Sequence, residues 1–309
     1  MSAMTKLLLA KGARGEIVRQ VQVRLKERGF DPKGSDGTFG DDTAAAIAAF
    51  RKKNRLGAKG EVDVPTWQAL MERPIPSIRE RALAVTAAFE GHGFDHAAGN
   101  YDGAGITWGI IGFTLQHGQL SQIVLEAHRK KPALVREAFG PKTDECLAMM
   151  RAPRARQLEW ADSISARPRK TTVVEPWKTC FRRFGQLPQV QAMQLQRVTQ
   201  AYFAPARRTA RELKLKTELG LALCFDIHVQ NGSVTPSARE RIRREVSAHP
   251  LHKERELRVI VANAVADASR PQYREDVRSR KLTLATGAGR VHGATYVLRN
   301  WGLDASPVR

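Results

Sequence analysis

At 309 residues the chain is too long for one small module and comfortable for two domains, which most often run ~100–200 residues each. Hydrophobic residues make up 42% and charged residues 27%, so neither a disordered nor a fibrous chain fits. The 51 Lys and Arg against 31 Asp and Glu leave a net charge of +20, which points to an anionic partner: nucleic acid, a membrane or a bacterial envelope.

The opening MSAMTKLLLAKGARG holds four consecutive apolar residues before Lys11. A signal peptide needs ~7–15, so none is expected. The most apolar run, GLALCFDIHV, is broken by Asp226 and His228 and falls short of the ~18–20 residues that span a bilayer, so a soluble chain made in the cytoplasm is expected. Cys146, Cys180 and Cys224 lack CxxC spacing. They are expected to be reduced and structural, with no metal and no cofactor.

The first helix is marked by Val18, Val21 and Leu25 on one face and stopped at Gly29. A turn, Asp36-Gly37-Thr38-Phe39-Gly40, leads through Asp41 and Asp42 as caps into a second helix with Thr43, Ile47 and Phe50 on one side. Pro65 opens a third, with Trp67 and Leu70 apolar. Asp36 to Thr43 and Asp63 to Thr66 read as two versions of one unit. With Gly12, Arg14-Gly15, Gln22 and Val62-Asp63, this segment resembles the three-helix peptidoglycan-binding domain of cell-wall hydrolases. The resemblance implies wall contacts around Asp36, Phe39, Asp63 and Trp67. Arg51 departs from it, standing where the family has Gln.

Residues 73–77 (Arg-Pro-Ile-Pro-Ser) read as a stiff linker, giving domains 1–72 and 78–309. Up to Glu72 there are 13 basic and 9 acidic residues, against 38 and 22 beyond it, so most of the charge lies on the larger domain. The pattern there predicts a mainly α domain, with Ser77 capping a helix to residue 89 and further helices over 120–128, 191–202, 213–229, 237–246, 254–267 and 273–282. One strand is predicted over 106–113, leaving a hairpin at Asp102-Gly103.

Glu90 ends a helix, where the negative end of the dipole costs a carboxylate ~0.3–1 kcal/mol, and Ala87, Ala88 and Phe89 are apolar. Both effects favour a carboxyl that keeps its proton, as a general acid must. Five glycines between positions 103 and 118 weaken the strand, which suits a backbone that a ligand approaches closely, near Tyr101, Gly105, Trp108 and Gln119. A helix-end Glu, a hairpin Asp and the Thr107 hydroxyl resemble the constellation of the lysozyme superfamily.

From Phe89 onward the chain resembles the chitosanases of glycoside hydrolase family 46. The match runs through Glu90, Asp102-Gly103-x-Gly105-x-Thr107-x-Gly109-Ile110-Ile111-Gly112-Phe113 and Gly118. It continues at Gln200-x-Tyr202-Phe203-x-Pro205-Ala206, Ala222-x-x-x-Asp226-x-x-Val229-x-x-Gly232, Asp276-x-Arg278 and Gly289-Arg290-Val291. The resemblance implies Glu90 as general acid, Asp102 as general base and Thr107 as the hydroxyl that holds the attacking water, with Asp95 the reserve base. An inverting outcome requires carboxyls ~6.5–9.5 Å apart. The buried-looking Asp226 needs a partner, for which Arg278 is the candidate, either within a network behind the acid or as a structural ion pair. His92, His96, His117 and His228 lack ligand spacing and read as surface or solvated residues.

The chitosanases grip glucosamine ammonium with acidic groups, and where one of these follows the matching Gly this chain has Gln119; Ala104 replaces the turn Arg. A basic domain repels a polycation and is attracted to carboxylates and phosphates. Together these favour peptidoglycan glycan strands and an anionic envelope surface as partners, without nucleic acid, and a muramidase acting as a monomer. A phage endolysin released through holin lesions, or a secreted effector with an immunity protein, would fit such a chain. The alternatives are a chitosanase and a non-catalytic wall-binding protein.

Overall fold

A computed structural model describes residues 5–91, 93–248 and 253–308; His92 lies outside them. Among the described residues the fold is mainly helical with three small antiparallel sheets. It forms two compact units, Met1–Phe89 with Ala201–Arg309, and Glu90–Gln200. No helix among the described residues is long and apolar enough to cross a membrane.

The first unit opens with strand β1 (Leu7–Leu9), which pairs with β2 (Val62–Asp63), and with helices α1 (Glu16–Glu27), α2 (Asp41–Lys53) and α3 (Val64–Met71). Each helix lies where the pattern of apolar residues puts it, burying Val18, Val21 and Leu25, then Ile47 and Phe50, then Trp67 and Leu70. Buried Gln22 joins α1 to the Asp-Gly turn. It accepts from Gly37 N at 2.8 Å and donates to Thr38 O and Thr43 Oγ1, each at 3.0 Å. A side chain at Gly37 would meet Gly15 O at 3.0 Å with φ at +78°, so the turn requires glycine. Asp63 caps α3 by accepting from Thr66 N at 3.0 Å.

Helix α4 (Ile78–Glu90) begins with a capping box. Ser77 Oγ accepts from Glu80 N at 3.3 Å, and Glu80 Oε2 accepts from Ser77 N at 2.9 Å. The chain then builds the second unit. Strands β3 (Ala97–Ala98), β4 (Thr107–Trp108) and β5 (Phe113–Thr114) form its sheet, and helices α5 (Gln119–Lys130), α6 (Pro132–Phe139), α7 (Thr143–Arg151), α8 (Arg154–Ser163), α9 (Trp177–Gln186) and α10 (Pro188–Val198) surround it. The strand expected over 106–113 is instead two strands, because Gly109 and Gly112 adopt φ of +83° and +70° and turn the chain back. The core is aromatic: Trp108 stacks on Phe184 at 5.4 Å, and Trp160 meets Trp177 edge-on at 4.9 Å.

Returning to the first unit, a π turn (Thr199–Phe203) interrupts the helix expected over 191–202 and leads into α11 (Ala204–Glu212). Thr217 then caps α12 (Glu218–Asn231), later than the expected start at 213. Helices α13 (Pro236–Ala248), α14 (Glu254–Asp267) and α15 (Arg274–Thr286) follow, with a hairpin of β6 (Ala288–Val291) and β7 (Ala294–Val297). The C-terminal segment packs on the N-terminal one. Trp301 Nε1 donates to Arg14 O at 3.0 Å, and Ala10 N to Asn300 O at 3.0 Å.

At the centre of this unit Asp226 is fully buried. Its carboxylate accepts from Arg280 Nη2 at 2.7 Å, Lys281 Nζ at 2.6 Å and Thr86 Oγ1 at 2.9 Å, tying α12 to α15 and α4. The expected partner, Arg278, instead donates to Asp267 at 2.7 Å and Asn263 at 2.9 Å. Positions 278 and 280 lie roughly 200° apart around a helix, so the two side chains serve opposite faces.

Burial alone would raise the Asp226 carboxyl, but Arg280 and Lys281 outweigh it and hold it well below the ordinary value. Its contribution to stability is therefore complete above pH ~4 and is lost as pH falls below that. Asp226→Asn strands two buried cations and is expected to lower the unfolding free energy by roughly 3–5 kcal/mol in urea titrations at pH 7.

Candidate active site

Glu90 is the half-buried last residue of α4. Twelve positions on, Asp102 sits in the exposed loop between β3 and β4, where its Oδ1 accepts from Ala104 N at 3.0 Å. Asn100 pins that loop: its Oδ1 accepts from Gly105 N at 2.9 Å, its Nδ2 donates to Asp162 at 3.2 Å, and its backbone N donates to Ser165 Oγ at 2.8 Å. Tyr101, 53% exposed, stands next to Asp102. Partial burial raises its phenol above the ordinary value, and the negative charges of Asp102 and Glu90 push it the same way. Both carboxylates thus act on one hydroxyl. Thr107 lies buried on β4, opposite Ala98 on one side and Thr114 on the other.

Asp95 accepts from Gln186 Nε2 at 2.9 Å, and the close fit of Gly185 against Phe94 brings α9 to this loop. Beside it, burial holds His96 below its ordinary value, with Asp95 opposing. His117 pairs with Thr114 Oγ1 at 2.8 Å. His228, expected at the surface, is buried against Thr209 Oγ1 at 2.9 Å. No metal-binding cluster of His, Cys, Asp and Glu occurs among the described residues.

Several residues expected at ligand surfaces belong to the core. Trp108 is fully buried, with Nε1 donating to Phe181 O at 2.9 Å, and offers no face to a sugar. Gly105 is closely approached, but by Leu115 and Leu158. Gln119, half-exposed, starts α5. In the N-terminal module Phe39 and Trp67 are buried, so they close the helices on one another and cannot stack on glycan. Asp36 is held below its ordinary value by the Thr38 backbone and by Gln22, which makes it a turn-former. Burial alone would raise Asp63, but Arg51 at 2.7 Å and Thr66 outweigh that and lower it. Arg51 is itself buried, so it braces the module from within.

The sequence reading misses Gln194. Fully buried on α10, it donates to Phe94 O at 2.9 Å and accepts from Ile110 N at 3.0 Å, so one amide holds the loop after Glu90 and the turn after β4. A side chain at Gly109 would lie 2.4 Å from its Oε1. The legible signal is a Gln at helical spacing between Val190 and Val198, both buried.

One mainly α unit thus carries a helix-end carboxylate at Glu90, a loop carboxylate at Asp102 and a buried hydroxyl at Thr107. Residues 86–256, more than half the chain, match glycosyl hydrolase family 46, and the chain belongs to that family. Residues 14–70 match the peptidoglycan binding domain family. Among solved structures, a mutant chitosanase from Bacillus subtilis MY002 complexed with 6 GlcN is similar at a TM-score of 0.53 and 17% identity, covering 72% of this chain and 98% of that one. A Bacillus licheniformis protein named "Probable N-acetylmuramoyl-L-alanine amidase" is 38% identical over 71 residues, 22% of this chain and 20% of that protein. The carboxy-terminal processing protease CtpB of Bacillus subtilis (strain 168) is 38% identical over 58 residues, 19% and 12% respectively. The chain thus spans 20% or less of the length of these curated relatives.

Gln194→Leu leaves the Phe94 carbonyl and the Ile110 amide without their partner, and each such loss costs ~1–3 kcal/mol. Urea titration is expected to register that drop, whereas Gln189→Leu, at an exposed position of the same helix, is expected to change stability by less than ~0.5 kcal/mol.

Proposed function

We propose that the chain is a muramidase, cleaving the peptidoglycan glycan strand after N-acetylmuramic acid with inversion. Residues 1–72 anchor it to the wall, 73–77 form the joint, and 78–309 carry the chemistry. Glu90 protonates the departing glycosidic oxygen, and Asp102 takes a proton from the water that attacks the opposite face of the sugar. The Thr107 hydroxyl orients that water. What supports the reading is the family 46 match together with the exposed Tyr101, whose phenol is raised by partial burial and by the charges of Asp102 and Glu90. Anchoring keeps a weakly held polymer at high local concentration.

The relative complexed with 6 GlcN supports chitosan cleavage as the second reading. Electrostatics oppose it: a chain at +20 repels a polycation, while stem-peptide carboxylates and envelope phosphates attract it. Endolysin and delivered effector are distinguished by their neighbouring genes, holin and spanin in the first case and secretion system with immunity protein in the second.

Digestion of purified peptidoglycan and, in parallel, of chitosan, followed by mass spectrometry of the new reducing ends, is expected to give ends in N-acetylmuramic acid. Release of glucosamine oligomers from chitosan with an untouched wall would establish the second reading instead. Glu90→Gln is expected to lower the rate by about 10²–10⁴-fold. Asp102→Asn is expected to fall similarly, with Asp95→Asn retaining most activity because Asp95 is engaged by Gln186; the opposite ranking would transfer the base to Asp95.

A further inference from the structure

The turn between β6 and β7 is made by His292 and Gly293, with φ of +48° and +80°. A two-residue hairpin turn of this kind favours Asn, Asp or Gly at its first position, so a histidine there accepts backbone strain. Its ring is engaged on both sides. Nδ1 lies 3.1 Å from Phe89 O, and Nε2 lies 2.6 Å from Asp276 Oδ1. The ring thus spans the gap between the Phe89 carbonyl and the Asp276 carboxyl.

The bridge ends on the helix turn that carries Glu90. Four carbonyls at a helix C-terminus lack intrahelical donors, and here two of them find side chains of one hairpin. Tyr296 Oη donates to Ala88 O at 2.9 Å, and His292 reaches Phe89 O. The Phe89 ring is clasped as well, by Tyr296 edge-on at 4.7 Å and by the Arg280 guanidinium at 5.2 Å. The other end of the bridge runs inward. Asp276 accepts from Gln230 at 2.8 Å, Gln230 accepts from Lys281 at 2.6 Å, and Lys281 pairs with Asp226.

We propose that His292 is a positioning residue for Glu90, clamping the last turn of α4 to α15 through the Phe89 carbonyl. This rests on Glu90 being the general acid. A shift of even ~1 Å in a reacting group costs up to about 10²-fold in rate, so a strained histidine at an otherwise ordinary hairpin is explained by what its ring holds.

The test compares wild type, His292→Gly and Glu90→Gln in the full chain. Glycine removes the ring while relieving the left-handed backbone, so thermal stability is expected to be kept. Hydrogen exchange of peptides covering residues 84–91 is expected to quicken by about tenfold, with the rest of α4 unchanged. On peptidoglycan, kcat is expected to fall by about ten- to hundredfold with KM within about twofold. His292→Asn, which suits positive φ but is too short to bridge, is expected to behave like the glycine variant. Unchanged exchange, or faster exchange with wild-type kcat, would overturn the clamp while a dead Glu90→Gln leaves the glycosidase reading standing. A wild type inactive on both polymers would remove that reading, and the exchange measurement would still decide whether the ring holds the helix end.

Discussion

Asp226, Arg280 and Lys281 are all cut off from water, and burying three charges is tolerable only with close pairing on every side. The geometry supplies it: two cations and a hydroxyl on one carboxylate, with Lys281 carrying the excess positive charge onward to Gln230 and the half-exposed Asp276. Such a cluster adds little net stability over an apolar core, but it punishes misalignment heavily. Helices α4, α12 and α15 can pack in only one mutual register that satisfies all three charges, and that register sets where α4 ends. For the proposed role of Glu90, a helix fixed by charges is better suited to hold its last residue than one fixed by interchangeable aliphatic contacts.

A second buried cluster does the same work at the start of α4. The Arg81 guanidinium grips Glu218 with two bonds at 2.7 and 2.8 Å, donates to Pro76 O at 3.1 Å and reaches Gly302 O. Lys6 adds a second cation to Glu218 at 2.5 Å. The N-terminal segment, the start of α12 and the C-terminal tail are thereby tied to one carboxylate. Helix α4 is thus braced by an ion pair near its start and by the Thr86 hydroxyl on Asp226 near its end, and the N-terminal module shares a core with the end of the chain through Trp301, Arg14 and Tyr296.

Much of this was legible locally. The cap at Ser77, the first three helices and the helix ending at Glu90 follow from short-range rules of spacing and capping, and the structure keeps them; the caps expected at Asp41 and Asp42 do not form, because both lie inside the first turn of α2 with Gly40 at its start. What escaped were choices made by tertiary partners. Arg278 and Arg280 are equivalent as letters, and only the face that α15 turns to α12 selects the second. Trp67 and Trp108 could equally be platforms or core; burial decides, because a small module must spend its largest apolar side chains on its own interior. Helices α6, α7 and α9 do carry apolar residues at helical spacing, as Trp177, Cys180, Phe181 and Phe184 show in α9, and the sequence reading passed over them; α8 gives little such signal, and its Trp160 meets Trp177 only across the fold. Helical spacing between Val190 and Val198 puts Gln194 on the buried face, but the role of its amide is set by the two backbone groups that it serves.

The loop chemistry bears on which sugar the proposed site accepts. A polymer of glucosamine brings an ammonium on every residue, and holding it requires carboxylates without cations of their own. Near the hairpin Asp162 is already committed to cations, Lys170 and Arg167. A neutral N-acetylated sugar makes no such demand and can be held by amides, hydroxyls and an exposed ring such as Tyr101. Discrimination between glycans is a difference of affinities, and here the missing attraction counts as much as any attraction present. Combined with a net charge of +20, whose long-range field would favour an anionic envelope, this puts the proposed muramidase's selectivity in the electrostatics of the chain more than in any single contact to the sugar.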